Sequence, residues 1–226
     1  MRSSPGTATW TPGSLSSEPS TLSVRPEAPH DYHAIHILVA AAFGRESEAK
    51  LVRLLRADAD AYIPELALVA EEGGEIIGHV MLTNATLHGD EDWRVLALGP
   101  LSVTPGRQRK GAGIALTEAA LELADARGDR LVVLLGHPAY YPRFGFEPAR
   151  GRGIEPPSEE MPDAAFMVKV LSKYEERYQG RFEYAPAFGQ VQGRTFTTGC
   201  AQPLWRPATA LQDRSSRAAR GRRCAG

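Results

Sequence analysis

The residues with the clearest chemical potential form a short, basic, glycine-rich loop. Residues 108–113 read QRKGAG and follow the apolar stretch LALGPLSV at 96–103. Where a strand runs through such a loop into a helix, the first helical N–H groups lack intrahelical partners and bind anions. Glycine lets a phosphate approach the main chain without meeting a Cβ atom. The sequence therefore predicts a phosphate-binding loop built from Arg107, Gln108, Arg109, Lys110, Gly111, Ala112 and Gly113.

Two familiar phosphate-binding motifs do not fit this loop. The dinucleotide fingerprint G-x-G-x-x-G requires a third glycine where Leu116 stands. The nucleoside triphosphatase loop requires Gly-Lys-Ser/Thr after a four-residue spacer from Gly106, but the sequence there is Gly111-Ala112-Gly113. The loop therefore lacks both the lysine that contacts terminal phosphates and the hydroxyl that binds Mg²⁺.

What remains is Gln-x-x-Gly-x-Gly directly after a strand, and here the sequence resembles the GCN5-related N-acetyltransferase (GNAT) superfamily. Two further segments carry the resemblance: LLGHPAYYPRFGFEPA at 134–149, and GRFEYAPAF at 180–188, which is similar to the YhbS-like branch. The likeness covers about residues 22–190. The order strand, loop, helix, strand and aromatic segment argues against the simpler interpretation that the loop is a surface turn that only caps a helix.

The resemblance implies a fold and a co-substrate. The fold is α/β, a mixed central β-sheet flanked by helices with splayed central strands, and the co-substrate is acetyl-CoA, without a metal. In this family the pantetheine arm lies between the splayed strands and bonds their exposed peptide groups. By resemblance, Leu101 and Val103 offer those groups, and the Val103 N–H polarises the thioester. The other expected CoA-binding residues are Ser102, Arg107, Gln108, Arg109, Lys110, Gly111, Ala112, Gly113, Ile114, Pro138, Tyr140 and Phe144.

Transfer of an acetyl group to an amine requires a neutral amine, a polarised carbonyl and an acid for the departing thiolate. Tyr141 stands five residues before Phe146. By resemblance, many family members carry there a tyrosine that protonates the CoA sulfur. Its phenol has an ordinary pKa of about 10, against about 8.5 for a thiol, so it is protonated at neutral pH. We expect Tyr141 to be the acid, with Tyr140 open as the alternative, because one tyrosine of this aromatic cluster only packs.

The amine also needs a group that takes its proton, and carboxylates are the usual recourse. Glu48 opens a predicted helix in the region that borders the acceptor pocket in the resembling family, and we expect it to be the base. The alternative is that Glu48 only interacts with the helix dipole. The sequence departs from the family pattern at Gly136-His137-Pro138, and we interpret His137 as a polar turn residue. The competing groups are Glu46, His88, Asp90, Glu91 and Asp92.

Composition divides the chain of 226 residues into three parts. Residues 1–21 are dominated by Ser, Thr, Pro and Gly and are expected to be disordered. Residues 22–192 form the predicted N-acetyltransferase domain. Residues 193–226 contain seven arginines against one aspartate, a charge of +6 that leaves −7 for the predicted domain. We expect this tail to be a disordered, solvated extension rather than a nucleic-acid or membrane contact, because RSSRAARGRR has no interleaved aromatic residue.

Cysteine usage and the N-terminus bear on the compartment. Both cysteines, Cys200 and Cys224, fall in the arginine-rich tail, so no structural disulfide is expected. No apolar h-region follows Arg2, no apolar run approaches the length of a membrane span, and no His or Cys spacing fits a metal site. These features favour a reducing, cytoplasmic location.

Periodicity predicts the elements that position these residues. Apolar residues recur at helical spacing after Asp31, the expected N-cap, and again from Ser47. A Gly-Gly pair joins two β-rich runs as a hairpin, and Gly99-Pro100 requires a bulge in the next strand. A strand–helix–strand crossover then makes two strands parallel. The predicted strands are 21–24, 66–70, 76–83, 93–103, 131–135, 144–148 and 165–171, and the crossover helix is 113–127.

The sequence as a whole predicts an N-acetyltransferase that moves the acetyl group from acetyl-CoA to a primary amine by direct attack, since no cysteine lies where a nucleophile would be needed. A non-catalytic CoA-binding regulatory or interaction module stays open as the alternative, as does binding of another nucleotide. The expected acceptor is a small-molecule amine or a protein lysine or N-terminus, and the acidic domain favours cationic amines such as polyamines. Both a monomer and a homodimer are compatible with the sequence.

Overall fold

Nine strands form one mixed β-sheet in the computed structural model, which describes residues 21–191. The strands are β1 (Leu22–Pro26), β2 (Ala67–Glu72), β3 (Glu75–His88), β4 (Asp92–Val103), β5 (Leu131–Leu135), β6 (Glu147–Pro148), β7 (Ile154–Glu155), β8 (Phe166–Val170) and β9 (Gly180–Glu183). The α-helices are α1 (Tyr32–Phe43), α2 (Ser47–Ala57), α3 (Ala112–Arg127) and α4 (Ala187–Val191).

The expected terminal extensions, residues 1–21 and 193–226, lie outside the described residues except for residue 21, and so do both cysteines. Among the helices of the described part, none is both long enough and apolar enough to cross a membrane.

The main path of the sheet runs β1-β2-β3-β4-β5-β8-β6. Neighbouring strands along it are antiparallel except β4 and β5, which are parallel because α3 connects them as a crossover. Strand β9 pairs with the C-terminal residues Thr86–His88 of β3, and β7 pairs with β9. The wholly apolar β5 lies inside the sheet, as expected for a strand covered on both faces. The predicted α/β class, with helices on a mixed sheet, is confirmed.

Each face of the sheet is covered by its own helices. Helix α3 packs Leu116, Ala120 and Ala124 against Val80 and Leu96 on one face. Helices α1, α2 and α4 cover the other face, where they bury the apolar side chains Ile35, Val39, Val52, Leu55 and Phe188 with Val69 and Met81 of the sheet. The loop that follows β4 therefore lies on the α3 side, and the start of α2 lies on the opposite side.

One local prediction holds in position only, and another is wrong. Asp31 is the N-cap residue of α1, as predicted, but its side chain makes no capping hydrogen bond to that helix; its carboxylate instead accepts hydrogen bonds from Arg25 Nη1 at 2.6 Å and from the Ala28 amide at 2.8 Å. The predicted strand 144–148 is reduced to β6, because Tyr141–Phe144 forms a 3₁₀ turn. Proline at the second position of that turn fixes a helical φ and cannot extend a strand ladder.

Strand β4 bulges where its proline lies, as the sequence predicts. Val80 pairs with Leu101 and Leu82 pairs with Leu98, so Met81 alone faces the two residues Gly99 and Pro100, which are joined by a cis peptide bond. On its other edge β4 pairs with β5 only at Leu96–Val132 and Ala97–Val133. Beyond these two pairs the strands separate. The peptide groups of residues 98–103 therefore have no partner strand on that side.

A buried ionic network centred on Glu27, the residue that follows β1, links β1 to Arg56 of α2 and His79 of β3. The Glu27 carboxylate, whose side chain is fully inaccessible, accepts hydrogen bonds from Arg56 Nε at 2.6 Å and Arg56 Nη2 at 2.7 Å. It also accepts from Tyr62 Oη and His79 Nε2, both at 2.9 Å. Burial alone would raise the pKa of Glu27, but the bonds from Arg56 and His79 outweigh it and hold that pKa at about 2.

We predict that Glu27→Ala destabilises the fold by about 3–5 kcal/mol, because it leaves Arg56 and His79 buried without their anion. Glu65→Ala, which breaks the exposed pair with Arg127, is the control and should cost less than about 1 kcal/mol. Urea unfolding at neutral pH measures both. The Glu27 contribution should be present above pH 4.5, the ordinary pKa of the group, and be lost as the pH falls toward about 2. Equal effects of the two variants would contradict the prediction.

Candidate active site

The loop between β4 and α3 turns sharply at positions with left-handed backbone. Gly111, which directly precedes α3, has φ 99°, and Arg109 has φ 62°, a conformation uncommon for residues other than glycine. The Gln108 side chain donates a hydrogen bond to the Val103 carbonyl at 3.2 Å and ties the loop back to β4. The glutamine of the motif thus fixes the exit of the strand.

The main-chain amides of this loop are available to a ligand. Within the described chain, no acceptor is found for the backbone N–H groups of residues 108–114, whereas the Ala115 N–H bonds the Gly111 carbonyl at 2.9 Å and starts the helical ladder. A Cβ at Gly113 would lie 3.1 Å from Tyr140 Oη, so a side chain there would fill the groove. Unpaired amides at the start of a 16-residue helix form an anion site that fits the phosphates of CoA.

A groove of about 460 Å³ runs from this loop to β4. It brings together eight of the expected CoA-binding residues and one that the sequence analysis missed, Arg143. The Arg143 guanidinium lies 4.9 Å from the centre of the Tyr140 ring. In the sequence, Arg143 stands out as a cation within the segment YYPRFGF. Its position at the groove depends on the 3₁₀ turn Tyr141–Phe144, which the sequence analysis did not predict. The lining residues are Leu101, Val103, Gln108, Arg109, Gly111, Gly113, Ile114, Tyr140 and Arg143.

The other expected CoA-binding residues do not line this groove. Ser102 and Ala112 are buried, Ser102 with its hydroxyl unpaired and Ala112 in the core under α3. Arg107 is bridged to Glu72, with Nη1 2.5 Å from the carboxylate, and its Nη2 lies 3.8 Å from Glu75. Lys110 and Pro138 are exposed on the surface, and Phe144 packs on Tyr140 with ring centres 5.4 Å apart.

A second cavity, of about 220 Å³, lies on the other side of the separated strands. Leu101 and Tyr140 line both cavities, so the two meet at the gap between β4 and β5. The second cavity, which we call the aromatic cavity, is lined by Phe43, Glu48, Leu51, Leu98, Gly99, Pro100, Leu101, Leu135, Gly136, His137, Tyr140, Tyr141, Met161, Tyr184 and Phe188.

Tyr141 faces this cavity from a nearly closed environment. Its side chain is 9% exposed, and burial raises the pKa of its phenol, with a smaller contribution from Tyr140. The hydroxyl has no hydrogen-bond partner among the described residues. A Cβ at Gly136 would lie 2.2 Å from the Tyr141 ring, so only glycine leaves room for the ring at this position. Gly136 belongs to the segment Gly136-His137-Pro138, where the sequence departs from the family pattern.

Tyr140 points elsewhere. Its hydroxyl lies against the first turn of α3, close to Gly113. Burial raises the pKa of Tyr140, although the Thr117 hydroxyl and Arg143 oppose the shift. The two neighbouring tyrosines, whose rings meet edge to face with centres 5.0 Å apart, therefore serve different cavities: Tyr141 lines only the aromatic cavity, and Tyr140 lies at the junction.

Glu48 lies in the wall of the aromatic cavity and is 2% exposed. Its Oε2 accepts hydrogen bonds from Arg45 Nε at 2.9 Å and Ser47 Oγ at 2.7 Å, and its Oε1 accepts one from Arg45 Nη2. A carboxylate has about four lone-pair sites. Three are occupied here, so Oε1 keeps one site for another donor.

The competing groups lie outside both cavities. His137, which we interpret from the sequence as a polar turn residue, lines the aromatic cavity, and its Nδ1 accepts the Ala139 N–H at 3.0 Å. Glu46 is exposed and pairs with His36 at 3.1 Å. His88 lies at the opposite end of β3, where it bridges Asp92 and Glu183, and Asp90 and Glu91 are exposed beside it. Within residues 21–191, no group of three or more His, Cys, Asp or Glu side chains could hold a metal.

Comparison with known proteins adds independent evidence. Residues 23–149 match the family model described as an acetyltransferase (GNAT) domain. The uncharacterized N-acetyltransferase YjhQ of Escherichia coli is 38% identical over 135 residues, which cover 58% of this chain and 74% of YjhQ. The uncharacterized N-acetyltransferase YhbS of the same organism is 36% identical over 125 residues, covering 55% of this chain and 72% of YhbS.

Two solved structures are similar over most of their length. The GNAT family N-acetyltransferase YhbS from Escherichia coli, in complex with CoA, has a TM-score of 0.69 and 30% identity, and the match covers 77% of this chain and 95% of YhbS. A GNAT family acetyltransferase from Brucella melitensis, in complex with acetyl-CoA, has a TM-score of 0.61 and 32% identity, with coverage of 75% and 99%. The resemblance drawn from the sequence is confirmed, and the chain belongs to the GNAT acetyltransferase family of acyltransferases.

Proposed function

We propose that this protein transfers the acetyl group of acetyl-CoA to a primary amine by direct attack, without a covalent enzyme intermediate. The observation that carries the proposal is the meeting of two unlike cavities at the gap between β4 and β5. One cavity offers amides and cations to an anionic co-substrate, and the other offers a buried carboxylate and a protonated phenol. Tyr140 and Leu101 line both cavities and mark the point where the two reactants would meet.

The co-substrate binds in the groove on the α3 side. The unpaired amides of residues 108–114 hold its diphosphate, with Arg109 and Arg143 adding charge. The free peptide groups of Leu101 and Val103 hold its pantetheine arm as a partner strand would. The CoA and acetyl-CoA complexes of two similar proteins support this assignment. Acetyl-CoA supplies the activated acyl group.

Tyr141 is the acid in this proposal. Burial keeps its phenol protonated throughout the physiological range. Because none of residues 21–191 accepts its hydroxyl hydrogen, that proton is available to a thiolate. The Tyr140 hydroxyl is directed at the first turn of α3 instead. In this proposal Tyr140 is a wall residue of the junction between the two cavities and not the acid.

Glu48 receives the amine in this proposal. The free lone pair on Oε1 accepts one N–H of the incoming amine, and the carboxylate takes its proton directly or through water. Direct attack fits the chain because residues 21–191 contain no cysteine and the Ser102 hydroxyl is buried away from both cavities.

The groove assignment predicts that Gly111→Glu weakens acetyl-CoA binding at least about tenfold, because an anion replaces a phosphate contact. Gly74→Glu is the matched control, since Gly74 is also left-handed, with φ 79°, and lies in the distant β2–β3 turn with open space around it. Calorimetry on both variants measures the effect. Equal affinities in the two variants would remove the loop from the binding site.

The acid assignment predicts that Tyr141→Phe lowers kcat by about 10²–10⁴-fold, because the ring and its packing stay while the proton is lost. The affinity for acetyl-CoA should not change. Tyr140→Phe is the control and should keep kcat within about threefold. A larger loss in Tyr140→Phe would exchange the two roles, and binding of acetyl-CoA without turnover of any amine would favour the non-catalytic module.

The base assignment predicts that Glu48→Gln lowers kcat/KM for the amine by about 10²-fold, because the amide cannot take the proton of the amine. Arg45→Gln is the control, since it breaks the same ion pair but leaves the carboxylate in place. It should retain most of the activity. If Arg45→Gln loses as much as Glu48→Gln, the pair is structural and the base lies elsewhere.

A further inference from the structure

The residues that line the aromatic cavity indicate which class of amine fits there, which the net charge of the chain does not. Five aromatic rings face it, and Leu51, Leu98 and Met161 add aliphatic surface. Among the described residues that line it, counting Asp, Glu, Lys and Arg, Glu48 is the only charged one. The acidity of the predicted domain, −7 for residues 22–192, is therefore not concentrated in this cavity. The five rings belong to Phe43, Tyr140, Tyr141, Tyr184 and Phe188.

The hydrogen-bonding capacity of Glu48 matches a single amino group. Three of its lone-pair sites are filled by Arg45 and Ser47, and one remains. A second ammonium group placed inside the cavity would meet no second carboxylate among the described lining residues, and an unpaired charge is costly to bury. The cavity of about 220 Å³ also lies below the range of about 300–1,000 Å³ of drug-sized ligand pockets.

We propose that the acceptor is a small hydrophobic primary monoamine, with its nitrogen at Glu48 and an aromatic or alkyl body between Phe43, Leu51 and Phe188. This assignment rests on the proposed acetyl transfer. The ammonium first loses a proton to Glu48 or to water. One N–H bond of the neutral amine is then replaced by the N–C bond of the acetamide, and the C–S bond of acetyl-CoA is replaced by the S–H bond of CoA.

The first test is kcat/KM for a set of amines, measured by release of the CoA thiol from the full chain with saturating acetyl-CoA. Along ethylamine to pentylamine, kcat/KM should rise by about fourfold per methylene group as apolar surface is buried. Butylamine should exceed putrescine, which differs by a second ammonium group, by at least about tenfold. 2-Phenylethylamine should exceed spermidine, kanamycin and a lysine N-acetyl methylamide.

The second test places the apolar body in the cavity. Phe43→Ala should raise KM for 2-phenylethylamine at least about tenfold and leave KM for acetyl-CoA unchanged. Ile37→Ala is the matched control, since Ile37 lies on the same helix, is 55% exposed and does not line the cavity. Met161→Ala repeats the test from a loop, in case Phe43→Ala does not fold.

The outcomes separate this inference from the function on which it rests. Preference for putrescine, kanamycin or the lysine derivative would overturn the monoamine assignment and leave acetyl transfer intact. Binding of acetyl-CoA without turnover of any amine would overturn the proposed function, and the acceptor assignment with it. Equal effects of Phe43→Ala and Ile37→Ala on KM for 2-phenylethylamine would place the acceptor outside the aromatic cavity.

Discussion

The separation of β4 from β5 is the constraint on which the rest of the site depends. The two strands pair at only two positions, Leu96–Val132 and Ala97–Val133, and the bulge at Gly99-Pro100 follows them in β4. Peptide groups at such a gap need another hydrogen-bond partner, because unpaired backbone in a protein interior is costly. The gap therefore provides both a ladder for an extended ligand and a passage between the two faces of the sheet.

The two faces present opposite chemistry to this passage. On the α3 side, a turn with left-handed residues exposes consecutive amides at the start of a long helix, with Arg109 and Arg143 beside them. On the α1–α2 side, the wall is aromatic and carries one buried carboxylate. An anionic nucleotide is complementary to the first surface only, and a small apolar amine to the second only. Under the proposed function, the sheet keeps the two reactants apart except at the gap.

Two buried carboxylates near α2 differ in how much of their hydrogen-bonding capacity the described residues use. Glu27 accepts four hydrogen bonds from Arg56, Tyr62 and His79, so its lone-pair sites are all used. Glu48 accepts three and faces a cavity. The closed network links β1, α2 and β3 to one another, and the open one leaves a lone-pair site that, under the proposed function, accepts an N–H of the amine.

The sequence by itself determined most of the elements and the loop, because these depend on local patterns; β7, β9 and α4 were not predicted. The bulge at Gly99-Pro100, the crossover helix and the apolar β5 follow from periodicity and from the backbone preferences of glycine and proline, and the Gln-x-x-Gly-x-Gly motif was identified by its resemblance to the family. Local preference failed at residues 144–148, where Pro142 favours a 3₁₀ turn over a strand. Only the tertiary structure decided which side chains meet: Arg143 at the groove, Gly136 against the Tyr141 ring, and Glu48 among aromatic rings. Arg143 and Glu48 meet residues that are far apart from them in the chain, and Gly136 meets the Tyr141 ring only because the chain folds back in the 3₁₀ turn, so none of these contacts follows from a local pattern.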